Sequence, residues 1–307
     1  MTTNASSLRD VYPLCLGGNV FGWTMDEHES FAVLDAYAAA GGNFIDTADA
    51  YSAWVDGHSG GESETVIGNW MAARGKRDEM SVATKVGQLT GVSAREIRDG
   101  VDASLRRLQT DRIDLYYTHK DDPDIPLEET LGALDEQVRA GKILHIGAAS
   151  SLPADRLEEA LATSDREGFA RYEALQPHFN LIERDGFAGA LAALAAREAL
   201  PVFPFFSLAR GFLTGKFRSG QDAETRRGGF SGASLDDDRG RAVLAVVDRV
   251  AEEQQTTPAA VSLAWLRAQP AVQAPIASAR TPEQLAELLP MAALQLTADQ
   301  LDRLTSA

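Results

Sequence analysis

A chain of 307 residues can hold two average domains, and a single α/β barrel of this length is equally ordinary. Its 44% hydrophobic content supports a large core, while the acidic surplus behind a formal net charge of -16 argues against nucleic acid, anionic membranes or any polyanionic partner. A phosphate-bearing ligand would therefore have to be held by a few local cations.

The opening residues, MTTNASSLRDVYPLCLGG, lack the basic stretch and long apolar run of a signal peptide. No later stretch reaches roughly 18 uninterrupted apolar residues, so the expected location is the cytoplasm. The single cysteine, Cys15, excludes an internal disulfide and a cysteine-based zinc site; set between two leucines, it reads as a small buried apolar residue.

Short apolar runs alternate with longer amphipathic ones. The first predicted strand is Leu14 to Gly17, followed by the helical stretch SFAVLDAYAAA, which Gly41 and Gly42 end. The second strand, Asn43 to Asp46, leads to ETVIGNWMAAR; the third, Ser81 to Lys85, leads to AREIRDGVDASLRRL. Asp114 to His119 comes next, with LEETLGALDEQVRAG ending at Gly141, then Ile143 to Ala148 and a helix opened by Pro153. Tyr172 to Gln176 precedes DGFAGALAALAAREA, Pro201 to Phe205 is the seventh strand, and Val272 to Ile276 is the eighth. Strand-helix repetition of this kind forces a parallel sheet, and eight units can close it, so the predicted fold is a single-domain (β/α)8 TIM barrel over residues 1–307. One long active-face loop, at about 206–240, breaks the rhythm: its part from 218 to 240 is polar and Gly-rich, as solvated loops and lids are.

In such a barrel the C-terminal strand ends converge on one mouth. Here the second strand delivers Asp46 with Tyr51 close behind, the third ends on Lys85 and the fourth on His119. Singly, each has an ordinary structural reading: a cap, a half-buried phenol, a surface cation, a bonded core histidine. Together their chemistry is consistent. A tyrosine of ordinary pKa, about 10, holds a proton it can give away. A lysine beside it would stabilise the tyrosinate, by roughly 4 kcal/mol at about 4 Å and an effective dielectric of about 20. Asp46 would serve as the lysine's counterion, and His119 could orient an oxygen or help pass a proton.

This arrangement resembles the aldo-keto reductase superfamily. The resemblance covers essentially the whole chain, through LGGNVFGW, FIDTADAY, ATK, DLYYTH, LQPHFN, FFSLARGFLTGK and PIASARTPEQL. It implies reversible hydride transfer between a nicotinamide C4 and the carbonyl carbon of an aldehyde or ketone, without metal. On that basis Tyr51 is the general acid, Lys85 tunes it, Asp46 pairs with Lys85, and His119 orients the carbonyl. Asp49 falls where the family does not keep an acid, and reads as a solvated loop carboxylate.

No GxGxxG fingerprint of a Rossmann site occurs between a strand and a helix. The resembled family instead lays its dinucleotide across the barrel mouth. The positions that match its contacts are Gly18, Asn19, Asp46, Gln176 for the carboxamide, Phe205 for the nicotinamide face, Ser207, Leu208, Arg210, Gly211, Lys216, Ala277, Arg280, Gln284 and Glu287. Relatives usually read Ser-Asn after the fifth strand; here IGAASSL puts either Ser150 and Ser151 or Ala149 and Ser150 in those places. Leu288 replaces the Asn common beside Glu287. Arg280 precedes a candidate helix, TPEQLAELL, whose first amides could meet an anion, and a planar cation there favours NADPH (NADP+) over NADH. The small-molecule carbonyl substrate would meet Trp23, Tyr51, Trp54 and His119.

Two other readings are open on the same barrel. A nucleotide-sensing regulatory or channel-associated subunit is the first, set against four intact reacting positions. A metal-dependent hydrolase using His119 with Asp121, Asp122 and Asp124 is the second; HKDDPD reads rather as a solvated loop, no second histidine has ligand spacing, and no metal is expected. Nothing in the sequence bears on oligomeric state.

Overall fold

The computed structural model of the chain describes residues 8–149, 152–216 and 238–307. Ser150, Ser151 and the part of the predicted loop from 217 to 237 lie outside the described residues.

Six strands, β1 (Cys15–Gly17), β2 (Phe44–Asp46), β3 (Ser81–Val86), β4 (Ile113–Thr118), β5 (Ile143–Ala149) and β6 (Tyr172–Gln176), pair in parallel in chain order, and β7 (Ile276–Ala277) pairs with β1. Parallel bridges from Leu175 to Val202 and from Val202 to Val272 complete the ring between β6 and β7. The molecule is thus a (β/α)8 barrel, as expected from the alternation. The two predicted strands at Pro201–Phe205 and Val272–Ile276 are not regular ladders, however. Pro201, Pro204 and Pro275 have no amide hydrogen to donate, so pairing there is reduced to scattered bonds. Phe203 N donates to Leu175 O at 2.8 Å, Gln273 N to Val202 O at 2.9 Å and Ile276 N to Pro204 O at 2.9 Å.

Helices follow the strands because their apolar stripes need the sheet's outer face. α1 (Glu27–Ala39) and α3 (Ala94–Leu108) open with reciprocal capping boxes, Asp26 with Glu29 and Ser93 with Glu96. α2 (Glu62–Arg74), α4 (Leu127–Arg139) and α5 (Ala154–Glu167) match their predicted spans closely. The stretch from 185 splits instead into a 3-10 turn at Asp185–Phe187 and α6 (Gly189–Arg197). α7 (Asp238–Gln254) begins inside the stretch expected to be loop, and α8 (Pro258–Arg267), α9 (Pro282–Leu288) and α10 (Ala298–Ser306) follow. No described helix is long and apolar enough to cross a membrane.

The core has two layers. Val33, Ile67, Trp70, Val101, Leu134 and Trp265 belong to the large layer between sheet and helices. A smaller cluster fills the barrel interior: Cys15, Phe44, Ala83, Leu115, Tyr117, Ala149, Ala174, Phe203, Ala274 and Ile276. Side chains alternate along a strand, so these interior positions dictate what stands two residues above them.

Candidate active site

Two residues above Cys15, Phe44, Ala83, Ala174 and Phe203 stand Gly17, Asp46, Lys85, Gln176 and Phe205; two above Tyr117 stands His119. The strand period therefore aims a carboxylate, an ammonium, a carboxamide, a phenyl ring and an imidazole at one mouth. Parallel register sets their relative height, with Gly17 beside Asp46 and Lys85 beside Tyr117.

Lys85 is fully buried, and its Nζ spends its hydrogens on Asp46 Oδ2 at 2.8 Å, Thr47 O at 2.6 Å and Tyr51 Oη at 3.0 Å. Tyr51 Oη in turn donates to Asp46 Oδ2 at 3.1 Å, and Gln176 Nε2 donates to Asp46 Oδ1 at 2.7 Å. A buried charge pair is tolerable only when its remaining hydrogen-bonding capacity is met, and here it is. The structure brings Asp46, Tyr51 and Lys85 into mutual contact. His119 stands farther off, its ring centroid 6.3 Å from that of Tyr51, and its backbone N donates to Val86 O at 2.7 Å.

The electrostatics differ from expectation in three places. Burial and the adjacent Asp46 carboxylate push the Tyr51 phenol well above its ordinary value. His119 is lowered to about 3 by burial, with Lys85 and Lys120 adding to the effect. It is a neutral imidazole at physiological pH and can orient an oxygen, but it carries no spare proton there. Asp49, read as a solvated carboxylate, has a buried Oδ1 without a partner, and burial together with Glu64 raises its carboxyl to about 7.

Around this centre the loop after β1 runs close to β2. Gly18 N donates to Asp46 O at 2.7 Å, and a Cβ on Gly18 would come within 2.9 Å of Ser63 Oγ and 3.0 Å of Asp46 O, so glycine is required there. Asn19 Oδ1 accepts from Ser278 Oγ at 2.7 Å, beside Ala277 of β7. Phe205 stacks on His178, with centroids 5.2 Å apart and planes at 29°. Buried Ser207 donates to Pro204 O at 2.9 Å, and Leu208 packs on the outer core layer. Arg210 lies over the Phe206 ring at 4.4 Å and reaches Glu183 Oε1 at 3.3 Å; with Gly211 it interrupts a short 3-10 segment at positive φ. Lys216 pairs with Glu287 at 3.1 Å.

The amides expected at the helix after Arg280 are partly spent. Residue 282, at the start of α9, is a proline with no amide hydrogen; Thr281 Oγ1 accepts from Gln284 N at 3.2 Å, and Gln284 Oε1 accepts from Arg280 N at 3.0 Å. The exposed Arg280 side chain, rather than the helix end, is what the site offers an anion.

Near Tyr51 lies Trp54, 6.3 Å between centroids, and Trp23 is 5.3 Å from Trp54 and nearly perpendicular to it. Sequence reasoning overlooked Tyr117 and His178. The alternation that led to His119 already placed Tyr117 two residues below it, and the motif LQPHFN contained His178 in plain view. The donor set fits a dinucleotide: a glycine-lined approach beside Asp46, a carboxamide at Gln176, an aromatic face at Phe205 and cations at Arg210, Lys216 and Arg280. Among the described residues, no group of three or more His, Cys, Asp or Glu side chains is placed to hold a metal.

Comparison with known proteins agrees with this arrangement. The profile of the Aldo/keto reductase family matches residues 13–307. The chain is 31% identical over 311 residues to norsolorinic acid reductase stcV of Emericella nidulans, covering 95% of this chain and 76% of that protein. It is 35% identical over 291 residues to the uncharacterized oxidoreductase YrpG of Bacillus subtilis, covering 90% and 86% of the two chains. Protein tas of Escherichia coli is 31% identical over 323 residues, covering 95% and 92%. With a barrel, an Asp-Tyr-Lys centre and a family match of that extent in agreement, the chain belongs to the aldo/keto reductase family, a family of oxidoreductases.

Proposed function

We propose that the protein is an NADPH-dependent reductase that converts an aldehyde or ketone to its alcohol, with Tyr51 as general acid. The observation that carries this reading is the three-way contact of Tyr51, Lys85 and Asp46 at the barrel mouth. Gln176, Phe205, Arg210 and Arg280 would hold the dinucleotide, with Gly18, Asn19, Ser207, Leu208, Gly211, Lys216, Ala277, Gln284 and Glu287 around it, and either Ser150 and Ser151 or Ala149 and Ser150 in the places after the fifth strand by resemblance. When bound, the cofactor supplies a hydride to the carbonyl carbon.

The chain's own part is proton supply. Tyr51 is kept protonated by burial and by Asp46, so the acid is loaded throughout the physiological range. On giving its proton to the carbonyl oxygen, the phenolate would sit 3.0 Å from the Lys85 ammonium, which counters the charge where it develops. His119, neutral, would direct the oxygen toward Tyr51.

The test is Tyr51→Phe. Turnover with carbonyl compounds should fall by about 10²- to 10⁴-fold, while NADPH affinity, read by fluorescence titration, stays near that of the unaltered protein. Full turnover in this variant would remove Tyr51 from the role. The same assay with NADH reads the cofactor preference, which Arg280 and a 2'-phosphate would set in favour of NADPH.

A further inference from the structure

The turn after β6 closes on itself: Asn180 N donates to Glu183 O at 3.1 Å and Glu183 N to Asn180 Oδ1 at 2.8 Å. Neither bond uses the Glu183 carboxylate, whose two oxygens go to different partners. Oε2 meets His178 Nε2 at 2.9 Å and accepts from Asn180 Nδ2 at 3.0 Å, whereas Oε1 accepts from Arg210 Nη1 at 3.3 Å. His178 lies along one face of Phe205, and Phe205 N donates to Pro177 O at 3.0 Å, so this turn fixes both the backbone and one face of that ring. The opposite face is what remains for a ligand. Arg210, at the other end of the carboxylate, belongs to a strained segment: Phe206, Ala209 and Arg210 take φ of 53°, 47° and 56°, a region that side chains other than glycine rarely adopt. Fully buried Asn180 holds that segment, its Nδ2 donating to Phe206 O at 3.1 Å, and the Arg210 guanidinium covers the Phe206 ring.

We infer that Glu183 is a positioning residue that joins the two ends of the cofactor site, one oxygen backing the nicotinamide-facing ring through His178 and the other restraining Arg210 from a cofactor phosphate. The inference rests on the reductase reading for the cofactor and on this network for the two roles of the carboxylate. A carboxylate beside a phosphate-binding cation opposes the phosphate twice, by partly neutralising the cation and by repelling the anion. Arg210 and Glu183 are 34% and 39% exposed, so solvent screening keeps that opposition small. Alignment is the compensating effect. Hydride transfer needs the reacting atoms held within a narrow range of geometries, and a phenyl ring with nothing behind it is free to turn about its side-chain bonds. The network therefore loosens the hold on phosphate while it fixes the plane against which a nicotinamide would lie.

The experiment reads the two oxygens separately, in the full chain. Calorimetric titration with NADP+ tests the phosphate end without turnover. In Glu183→Gln the amide oxygen can still accept from Asn180 and His178, which turns the NH2 toward Arg210 and leaves the guanidinium to the phosphate. NADP+ should bind about two- to fivefold more tightly, the worth of one exposed ion pair, and the gain should vanish when Glu183→Gln/Arg210→Ala is compared with Arg210→Ala. A gain shared with NAD+ assigns Arg210 to the pyrophosphate and one confined to NADP+ assigns it to the 2'-phosphate; both support the inference. The nicotinamide end is read as the rate of NADPH oxidation by 4-nitrobenzaldehyde in a single turnover of the preformed complex with NADPH, where product release does not enter. That rate should fall about tenfold in His178→Ala and Glu183→Ala, and by much less in His178→Phe, which keeps a ring behind Phe205. An NADP+ affinity unchanged or weaker in Glu183→Gln, or a His178→Ala rate equal to that of the unaltered protein, overturns the inference and leaves the reductase reading standing. An aldehyde left unreduced counts against the reductase reading, and the titration then decides the inference alone. Failure of the unaltered protein to bind either NADP+ or NAD+ sinks both.

Discussion

Asp49 shows how much of the site's chemistry depends on where a single carboxyl falls. Its backbone N reaches Lys85 O at 3.2 Å, and its side chain faces Glu64, Arg107 and Lys85. Glu64 is fully buried and already committed, accepting from Thr84 Oγ1 at 2.6 Å and Arg107 Nε at 2.6 Å. Two carboxyls beside one guanidinium cannot both ionise cheaply, and the one less well bonded keeps its proton. A carboxyl held at about 7 in the folded protein, against about 3.9 unfolded, makes the folded state bind more protons between those values. Stability from this group is therefore full below about pH 4, falls as pH rises toward 7, and levels off above. His119 acts in the opposite sense, since its folded value of about 3 costs stability as pH falls from about 6.5. The two are separated by difference: the loss of Tm between pH 5 and pH 8 should be smaller in Asp49→Asn than in the unaltered protein, read by thermal unfolding in matched buffers. An identical pH profile in both would mean that Asp49 does not titrate in this range.

At the scale of the element, what could be read in advance follows from hydrogen bonding. β1 to β6 were visible as apolar runs because each is a regular strand whose interior face also fixes the mouth. The last two strands fall where the apolar runs place them but are reduced to isolated bridges and a two-residue strand, because Pro201, Pro204 and Pro275 have no amide hydrogen to give a ladder. The Asp46, Tyr51, Lys85 and His119 positions were legible because strand ends are legible. The pKa directions of Tyr51 and Asp49 were not, since burial is the largest cause of both and is set by how the loop after β2 packs. β4 and β5 supply a further instance of packing that sequence alone hides. A Cβ on Gly147 would lie 2.6 Å from Tyr117 Cε1 and 2.9 Å from Ala174 O, so the glycine makes room for the Tyr117 ring inside the barrel. Gly147→Ala should destabilise the protein by about 1–3 kcal/mol, the cost of overpacking a filled core. Gly147→Ala/Tyr117→Leu should recover part of that loss, whereas Gly147→Ala/Tyr117→Phe should not, because the clash is with ring carbons. Urea midpoints of the four proteins check this; additive losses would place the strain elsewhere.

For the molecule as a whole, the chemistry takes place in a barrel whose surface is strongly acidic. The 45 acidic against 29 basic residues leave -16 in net charge, and many of the cations are already engaged in exposed pairs such as Arg74 with Asp35, Arg98 with Glu136 and Arg166 with Glu128. Exposed pairs contribute about 0–1 kcal/mol each and lose that as salt screens them. Repulsion among the excess acids is screened by the same salt, and it acts on the compact state as a whole. The Debye length falls from about 30 Å at 0.01 M to about 8 Å at 0.15 M, which shortens repulsion across the barrel more than attraction between atoms 3 Å apart. Self-repulsion should therefore be the larger effect, and Tm should rise as NaCl is increased from 10 to 300 mM, roughly in proportion to the fall in Debye length. The buried Asp46–Lys85 pair is shielded from solvent ions, so its geometry should not respond. Thermal unfolding across that salt series decides between the two effects: a Tm that falls with salt would mean that the surface pairs, not the uncompensated acids, govern the electrostatics of this barrel.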